Sequence, residues 1–421
     1  MTKGCLFSEK TVAEWRLRIL ITRQAVASAI HHRSPIFEKE GKNGNLLILP
    51  CRASIGGKYM LRLGIVGVGG IAQGAHIPVW KKLDNVSVVA VCDINPEKLE
   101  KAKTIFSHDI KCYESYTEMI DNEKLDIVDV CTPNYLHSPV ACYGLTHGAN
   151  VLCEKPDSVS VEDVIKMQDA EKASGKKLMV IRNNRYTIGS QYLKHIVTSG
   201  EAGEIYAGRC GWIRKRGIPG KGGWFTTKEL SGGGPLIDLG VHMIDLAIYL
   251  MGNPKAVSVS GCTYSKFADC ADEADSVHAQ FGEAKEDGVF DVEDLAIGFI
   301  KFDNGASLQI EFSWASNIKK EGTFVELRGT KKGLEWKGGM INIFDENKNT
   351  KFDKMKYNAQ AKKYKSGVYS TTNGHEANIR HFVDVILKGT EPVYKIEQGV
   401  NMIKILTGIY KSAETGREVI L

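Results

Sequence analysis

The chain has 421 residues, of which 43% are hydrophobic and 25% charged, a composition typical of a globular protein with two domains rather than one. No apolar run reaches the length needed to span a bilayer, so we expect no membrane partner. The formal net charge of +5 arises from residues 1–59, which carry a net +6, while the remaining 362 residues carry a net −1. A basic surface for nucleic acid is therefore not expected in the main body of the protein.

The ten cysteines indicate the compartment. They form no Cys-x-x-Cys pair and no cysteine–histidine spacing of the kind that binds zinc, so no metal is predicted. Several, such as Cys92, Cys131 and Cys153, lie in apolar runs typical of strands, where a thiol is a small core residue. We expect a reducing, cytoplasmic setting.

Residues 1–59 differ from the rest of the chain. Arginines interrupt the apolar stretch from Trp15 to Ile30, which excludes the core of a signal peptide. Met60 begins a new apolar run, and two consecutive glycine codons shortly before it can spell a bacterial ribosome-binding site. We hypothesise that Met60 is the initiator. The alternative is a natural extension with little order.

A glycine-rich turn follows the first predicted strand, Leu61 to Val66. It reads Gly67-Val68-Gly69-Gly70-Ile71-Ala72 and leads into a predicted helix from Ile71 to Lys82. In such a turn the first glycine permits a tight bend, and the second lets the backbone approach a pyrophosphate. The start of the helix then offers unpaired N–H groups to the phosphates. The predicted cofactor contacts here are Gly67, Gly69, Gly70 and Ile71.

The second predicted strand, Val86 to Cys92, ends in an acidic residue. Asp93 lies twenty-odd residues beyond the turn, where a carboxylate can accept hydrogen bonds from the adenosine ribose. It would also repel a ribose phosphate, and no arginine follows in Ile94-Asn95-Pro96 to bind one. NAD is therefore expected rather than NADP. The alternative is that Asp93 caps the helix that starts near Pro96.

Two polar motifs follow the next strands of the alternation. The strand Ile127 to Cys131 leads into Thr132-Pro133-Asn134-x-x-His137, and the strand Asn150 to Cys153 leads into Glu154-Lys155-Pro156. Strand–helix alternation predicts a parallel sheet that binds ligands at the C-terminal ends of its strands, where both motifs fall. The residues expected to contact the cofactor at this edge are Thr132, Pro133, Asn134, His137, Glu154 and Lys155.

The later part of the chain shows strands without regular helical crossovers, which is typical of an antiparallel sheet with helices on one face. Two closing helices are predicted, from about Glu376 to Leu387 and from Ile396 to Thr415. The expected fold class is α/β, with a parallel sheet first and a mainly antiparallel sheet second. The predicted strands of the second sheet are Ala256 to Tyr264, Asp294 to Phe302, Ala306 to Trp314, Thr323 to Arg328 and Gly333 to Trp336.

A predicted helix from Leu236 to Met251 follows three glycines and a proline. Asp238, His242 and Asp245 fall on one face of this helix, at positions i, i+4 and i+7. Such a stripe is usually a solvated surface. Here it contains no lysine or glutamate, and the glycines allow a ligand to approach closely, so we favour a catalytic Asp238–His242 pair.

Together these motifs resemble the glucose–fructose oxidoreductase, inositol dehydrogenase and rhizopine-catabolism family from Met60 to Leu421. The resemblance implies a Rossmann domain followed by an α/β domain whose large open sheet commonly forms a dimer interface, so a homodimer or homotetramer is expected. It also implies Lys155, Asp238 and His242 as the catalytic set. We predict an atypical extension over residues 1–59, a dinucleotide-binding domain over 60–183 and a substrate-binding and oligomerisation domain over 184–421.

The chemistry of these three side chains fits hydride transfer. Histidine, with an ordinary pKa near 6.5, can exchange a proton at neutral pH, and Asp238 can orient it. Lys155 can hydrogen-bond the substrate hydroxyl and stabilise developing alkoxide charge. Residues that could line the substrate pocket are Arg185, Tyr186, Trp212 and Arg214, although a basic surface loop with core aromatics explains them nearly as well. Structural roles are expected for His76, His195, His278, His375 and His381.

The sequence therefore predicts an NAD-dependent oxidoreductase that acts on a secondary hydroxyl of a sugar, glycoside or cyclic polyol, a small-molecule substrate. One alternative is an NAD-using glycosidase of the same family, which oxidises, eliminates and restores its substrate. Another is a regulator that senses the cofactor without catalysis. The presence of Lys155, Asp238 and His242 disfavours the regulator.

Overall fold

The structure is a computed structural model that describes residues 60–106, 108–268, 282–344, 349–351, 371 and 373–421. Leu61–Leu421 form one compact unit. The hypothesis that Met60 is the initiator concerns residues 1–59, which lie outside the described residues, and it stays a prediction.

The first sheet has six parallel strands in the order β3-β2-β1-β4-β5-β6. The side chains of its central strands β4 and β5 are almost all buried, which is why these strands are near-continuous apolar runs in the sequence. The strand order reverses between β1 and β4, and ligands bind beyond the strand ends at such a point. The predicted Rossmann architecture is confirmed. The strands are β1 (Leu61–Val66), β2 (Val86–Cys92), β3 (Lys111–Tyr113), β4 (Ile127–Val130), β5 (Asn150–Cys153) and β6 (Leu178–Val180).

Helices connect these strands. Helix α1 begins as a π-helical segment, Ala72–His76, and continues as the α-helical turn Ile77–Trp80. Three of the four later helices, all but the one that starts at His137, begin after polar caps: Asn95, Ser115 and Ser160 each accept a hydrogen bond from a backbone amide of the first turn. These helices are α2 (Pro96–Ile105), α3 (Tyr116–Glu123), α4 (His137–Thr146) and α5 (Val161–Ser174).

The second sheet has nine strands in the order β14-β13-β12-β11-β7-β10-β9-β8-β15. Neighbouring strands are antiparallel except β7 and β10, which run parallel, so the expected mainly antiparallel sheet is confirmed. Strands β7, β13, β14 and β15 were not among the predicted strands. The strands are β7 (Ile205–Ile213), β8 (Ala256–Tyr264), β9 (Leu295–Phe302), β10 (Ser307–Ser313), β11 (Gly322–Gly329), β12 (Gly333–Lys337), β13 (Met340–Phe344), β14 (Asn349–Lys351) and β15 (Val419–Ile420).

Helices cover one face of the second sheet. On β9, Ala296 and Ile300 are buried, whereas Ile297 and Phe299 are exposed on the opposite face. This alternation is typical of a sheet that is covered on one side only. The helices of this part of the chain are α6 (Ile188–Thr198), α7 (Lys228–Ser231), α8, which is π-helical over Leu236–Gly240 and α-helical over Val241–Leu250, α9 (Gly374–Lys388) and α10 (Ile396–Thr415).

One stretch among the described residues, Lys228–Leu250, is long and apolar enough to cross a bilayer, although no such run was expected from the sequence. In the fold, 89% of its apolar window is buried. Helix α8, which ends this stretch, packs against β7 and β11. The stretch therefore has the burial of a core helix.

The two closing helices confirm the predicted ones and return to the first sheet. Helix α9 packs against α1 and β5, and α10 packs against α5, β6 and β8. The first turn of α9 is thereby brought to the end of β5, where the Glu154-Lys155-Pro156 motif begins. The predicted domain boundary at residue 183 falls at a short 3-10 turn, Asn183–Tyr186, and stays a prediction.

Candidate active site

Lys155 and Asp238 form the centre of the site. Lys155 follows β5, and its peptide bond to Pro156 is cis. Its Nζ lies 2.8 Å from Oδ1 of Asp238 and 3.2 Å from the Asp238 carbonyl oxygen. Asp238 lies in the π-helical start of α8, so this ion pair joins the edge of the parallel sheet to the core helix of the second sheet. Both side chains are half-buried.

The Asp238 carboxylate has a second donor. Trp314 donates its Nε1–H to Oδ2 over 3.0 Å. Burial raises the pKa of Asp238, but the charges of Lys155 and Arg214 outweigh burial and hold it below its ordinary value. Asp238 is therefore an anion that binds and orients the Lys155 ammonium.

His242 lies one helical turn beyond Asp238 in α8, half-buried, with its ring centroid 5.9 Å from that of Trp212. The expected orientation of His242 by Asp238 is not what the structure shows: among the described residues no hydrogen bond joins the two side chains, because Lys155 and Trp314 occupy the carboxylate. Burial and the neighbouring Lys155 charge lower the pKa of His242 to about 3. The imidazole is thus neutral at neutral pH, and one of its ring nitrogens can accept a hydrogen bond.

Two of the predicted pocket residues lie beside this group. Trp212 belongs to β7, and the Arg214 guanidinium stacks over its ring, with Cζ 5.0 Å from the ring centroid. Arg214 also donates to the carbonyl of Gly217 and helps to lower the pKa of Asp238. The structure therefore places the half-buried Trp212 beside His242 and the half-buried Arg214 near Asp238.

The other two predicted pocket residues lie in the interior. Arg185 is 1% exposed, and its guanidinium binds both oxygens of Asp245 and the carbonyl of Val393. Tyr186 is fully buried beside it. Asp245 also binds Arg182, so the third acidic position of the predicted helix stripe belongs to a buried ion-pair cluster. Arg185 and Tyr186 are structural here because their short turn packs against α8 and α9 instead of facing the pocket.

The glycine-rich turn has the geometry that a pyrophosphate requires. Gly67 has a φ of +89°, and a Cβ there would lie 2.6 Å from the carbonyl oxygen of Cys131, so only glycine fits. A Cβ at Gly69 or Gly70 would meet no atom within 4 Å, which leaves open space above the turn. Ile71 already has helical dihedral angles, so the helix N-terminus faces that space.

Asp93 supports the turn from the end of β2. One carboxylate oxygen accepts the Val68 amide over 2.8 Å, and the other accepts the Asn95 amide over 2.9 Å. The cap of α2 is Asn95 rather than Asp93. Ile94 beside it is 85% exposed. This is the position expected of a ribose-binding carboxylate.

The motif after β4 divides into two kinds of residue. The Thr132 hydroxyl is buried and has no hydrogen-bond partner within the described part of the chain, and Pro133 is half-buried beside it. Asn134 donates to the carbonyl of Ser231 over 2.7 Å. The fully buried His137 ring lies 3.0 Å from the Thr132 carbonyl and 2.6 Å from the Pro156 carbonyl. Through these bonds Asn134 and His137 hold the surrounding loops together, and their expected contact with the cofactor stays a prediction.

Glu154 belongs to a buried hydrogen-bonded chain behind the site. Its Oε1 lies 2.9 Å from Nε2 of His76, and its Oε2 accepts the Lys155 amide over 3.0 Å. The other ring nitrogen of His76 lies 3.0 Å from Asp129, which also accepts Nε1–H of Trp80. Burial lowers the pKa of His76, but Asp129 outweighs burial and raises it. A cationic imidazole between two carboxylates therefore fixes Glu154.

His375 reaches the same chain from the first turn of α9. Its Nε2 lies 3.6 Å from Oε1 of Glu154, and its ring centroid lies 6.0 Å from that of His76. Burial raises the pKa of Glu154, but the two histidines outweigh burial and lower it. His76 and His375, expected to be unrelated structural residues, thus both contact Glu154, which in turn binds the backbone amide of Lys155. No sequence motif links them, because 298 residues separate them along the chain.

Three candidate ligand atoms for a metal ion, from His76, Glu154 and His375, lie within 4.8 Å of one another, as do those of His76, Asp129 and Cys131. Hydrogen bonds from His76 to both carboxylates account for this arrangement without an ion. The other histidines lie elsewhere: His381 is buried in α9, His195 lies in α6, and His278 is outside the described residues.

Comparison with known proteins places the chain in a family. Residues 61–182 match the family described as "Oxidoreductase family, NAD-binding Rossmann fold", and residues 190–335 match the "GFO/IDH/MocA C-terminal domain". D-glucoside 3-dehydrogenase of Escherichia coli K12 is 31% identical over 362 residues, which are 85% of this chain and 97% of the relative. The chain belongs to the GFO/IDH/MocA oxidoreductase family.

Other family members show the same relationship. Levoglucosan dehydrogenase of Pseudarthrobacter phenanthrenivorans is 28% identical over 285 residues, which are 65% of this chain and 73% of the relative. The crystal structure of GenD2 from gentamicin A biosynthesis, in complex with NAD, is 25% identical with a TM-score of 0.67 and covers 89% of this chain and 99% of GenD2.

The residues present fit the NAD cofactor of the family. The open space above Gly69 and Gly70 leaves room for the pyrophosphate, and Asp93 lies where the ribose is held. The unpartnered Thr132 hydroxyl is a buried polar group that a cofactor would satisfy. The expected family, the NAD cofactor and the oxidoreductase class are confirmed by the family match.

Proposed function

We propose that this protein oxidises a secondary ring hydroxyl of a sugar or glycoside with NAD, and that D-glucosides are the substrates to test first. The observation that carries the proposal is the Lys155–Asp238 ion pair at the end of β5, with the neutral imidazole of His242 beside it. The nearly full-length relationship to a D-glucoside 3-dehydrogenase, and the relationship to a levoglucosan dehydrogenase, support this class of substrate.

Each side chain has a separate role in the proposed reaction. Asp238 holds the Lys155 ammonium, which donates a hydrogen bond to the substrate hydroxyl oxygen and stabilises negative charge as it develops there. His242 is the proton acceptor in this proposal: its ring is unprotonated at neutral pH and can bind the hydroxyl hydrogen, and the hydroxyl becomes acidic enough to give up its proton as the hydride leaves the carbinol carbon. When bound, NAD accepts the hydride from the carbinol carbon.

The substrate pocket follows from the residues that face the catalytic pair. Trp212 offers an aromatic face, which suits the apolar face of a sugar ring. Arg214, stacked on that ring, adds hydrogen-bond donors for ring hydroxyls or for an acidic substituent. Together they support a cyclic, polyhydroxylated substrate.

A panel of methyl D-glucosides, free aldoses, levoglucosan and inositols, each incubated with NAD, tests the proposal. NADH absorbance and chromatography of the products are measured together. Steady NADH formation with an equal amount of ketone supports the dehydrogenase. Released sugar without accumulated NADH would instead support the NAD-using glycosidase. An NAD-binding protein that converts no compound in the panel would contradict the proposal.

We further propose a cytoplasmic homo-oligomer that assembles through the uncovered face of the second sheet. Ile297 and Phe299 of β9 are exposed side by side with Phe324 of β11 nearby, in a shallow depression of about 610 Å³. An apolar face of this kind favours association. Light scattering on the wild-type protein and on Phe299→Asp tests this, with a wild-type monomer as the contradicting result.

A further inference from the structure

His375 is the accessible end of an otherwise buried chain. The His76 side chain is 0% exposed and that of Glu154 is 6% exposed, whereas the His375 side chain is 21% exposed. The ring contacts the buried carboxylate of Glu154, and it is close enough to His242 to contribute to the lowering of the His242 pKa. Its position in the first turn of α9 brings it there from a different part of the chain than any predicted catalytic residue.

The carboxylate of Glu154 relates His375 to Lys155. One oxygen of Glu154 faces Nε2 of His375 at 3.6 Å, and the other accepts the Lys155 amide. Glu154 cannot reorient freely, since His76 binds it and Asp129 binds His76 in turn. Glu154 thus links His375 to Lys155, and the His375 side chain keeps 21% of its surface exposed.

A sugar ring carries pairs of neighbouring hydroxyls, which Lys155 and His375 together could bind. Its hydroxyls lie on adjacent carbons, and a closed site removes both from water. Lys155 binds the reacting hydroxyl under the proposed function, so the adjacent hydroxyl needs a partner of its own to avoid burial without a hydrogen bond. An imidazole can donate to a hydroxyl or accept from it.

We propose that His375 is a substrate-binding residue that hydrogen-bonds the hydroxyl next to the reacting one, so that the enzyme selects vicinal diols. This inference rests on the proposed sugar oxidation. The same cluster has the donor set of a His₂Glu metal site, which is a different assignment. The hydrogen-bonded arrangement is favoured because both ring nitrogens of His76 already face carboxylates at hydrogen-bond distance.

The test combines enzyme variants with deoxygenated substrates. The wild-type chain, His375→Ala, His375→Gln and the control His147→Ala are assayed with the best sugar of the panel and with its analogues lacking one hydroxyl next to the oxidised carbon. His147 is an exposed histidine after α4, stacked on Tyr143. The values of kcat and KM are measured for each pair, with NAD affinity as a folding control.

The losses of kcat/KM caused by the variant and by the deoxy substrate are expected not to be additive. Removing the correct hydroxyl lowers kcat/KM of the wild type and of His147→Ala by about tenfold or more, the effect of one lost hydrogen bond in a closed site. His375→Ala shows a similar loss with the intact sugar and little further loss with the deoxy analogue, while His375→Gln recovers part of it.

Three results would overturn the inference, each for a different reason. If the wild type oxidises sugars but His375→Ala loses as much activity on the deoxy analogue as the wild type does, His375 does not bind that hydroxyl and the proposed sugar oxidation still stands. If the wild type oxidises no sugar, both the proposed function and this role of His375 are wrong. One equivalent of bound zinc, lost in His375→Ala, with activity abolished by a chelator, would assign His375 as a metal ligand instead.

Discussion

The Lys155 ammonium lies 2.8 Å from the carboxylate of Asp238 and 3.2 Å from the carbonyl oxygen of the same residue. Within the described part of the chain, these two contacts use two of the three N–H groups of the ammonium. His242, one turn further along α8, does not share the carboxylate. The proposed catalytic group is therefore a lysine–aspartate pair with a separate neutral histidine, rather than an aspartate–histidine dyad with a separate lysine.

We predict that Lys155 and Asp238 act as a unit. Lys155→Ala and Asp238→Ala should each lower kcat/KM by about 10²–10³, because each removes the aimed ammonium, and the double variant should lose much less than the product of the two. Asp238→Asn keeps the shape of the side chain but removes its negative charge, so it is the matched variant for Asp238→Ala. Effects that simply multiply in the double variant would show that the two residues act independently.

His242→Ala should lower turnover by about 10²–10⁴, the usual contribution of general acid–base catalysis. Affinity for NAD should change little, since the glycine-rich turn and Asp93 belong to the other sheet. Calorimetric titration with NAD and steady-state assays measure both, and circular dichroism checks the helix. A folded, NAD-binding variant with near-normal turnover on the true substrate would remove His242 from the catalytic set.

The ionisation of His242 gives a prediction about pH. Burial and the Lys155 charge hold its pKa at about 3, below its ordinary 6.5, so between these values the unfolded chain binds more protons than the folded protein. This residue therefore contributes to a loss of stability as the pH falls from 6.5 towards 3. Proton–nitrogen NMR on labelled histidine, assigned with His242→Asn, should show a neutral ring from pH 5 to 8.

Lys155→Met provides the internal comparison for that measurement. Loss of the ammonium removes a repulsive charge and should raise the pKa of His242 relative to the wild type, although burial, the larger cause, remains. A wild-type His242 that titrates near 6.5, or a pKa unmoved by Lys155→Met, would contradict the electrostatic account.

The fold could be predicted from the sequence because local patterns determine it. The buried parallel strands are continuous apolar runs, and the motifs that matter follow them directly, as Glu154-Lys155-Pro156 follows β5. The pairings of β7 could not be predicted, because this strand joins partners more than 90 residues away. Short terminal strands such as β15 depend on their partner β8 and carry little signal of their own.

The site was predictable only where its residues lie in motifs. Asp238 and His242 were selected by their helical spacing, and Lys155 by its position at a strand end and by the family resemblance. The partner that Asp238 binds depends on the contact between the start of α8 and the segment after β5. His375 joins the site only through the return of α9 to β5. Arg185 was misassigned because an arginine in a polar segment has the same sequence signature whether it faces a substrate or a buried Asp245.

Cofactor preference tests the position of Asp93. The wild-type protein should bind NAD more tightly than NADP, because the carboxylate at the end of β2 repels a ribose phosphate. Asp93→Ser combined with Ile94→Arg should narrow or reverse this preference, and the exposed Ile94 side chain leaves room for the guanidinium. Ile94→Arg alone, with Asp93 retained, is the matched control. Tighter binding of NADP by the unmodified protein, measured by calorimetry, would refute the assignment.

Variants of the buried Arg185–Asp245 pair distinguish a structural role of Arg185 from a substrate-binding role. Asp245 accepts three of the described hydrogen bonds from Arg182 and Arg185, and burial raises its pKa less than the two guanidiniums lower it. Asp245→Ala leaves both arginines buried without that partner, so it should lower the free energy of unfolding by about 3–5 kcal/mol and the thermal midpoint with it.

The control for that prediction is Glu162→Ala, which removes an exposed i,i+4 partner of Lys166 on α5 and should leave the thermal midpoint nearly unchanged. Arg185→Met should behave like Asp245→Ala in thermal denaturation, because it too breaks the buried cluster. Its KM for the sugar should stay close to the wild-type value in the fraction that remains folded. An Arg185→Met variant with normal stability and a sharply raised KM would assign Arg185 to the substrate pocket. The guanidinium would then have to be accessible in the state that binds substrate.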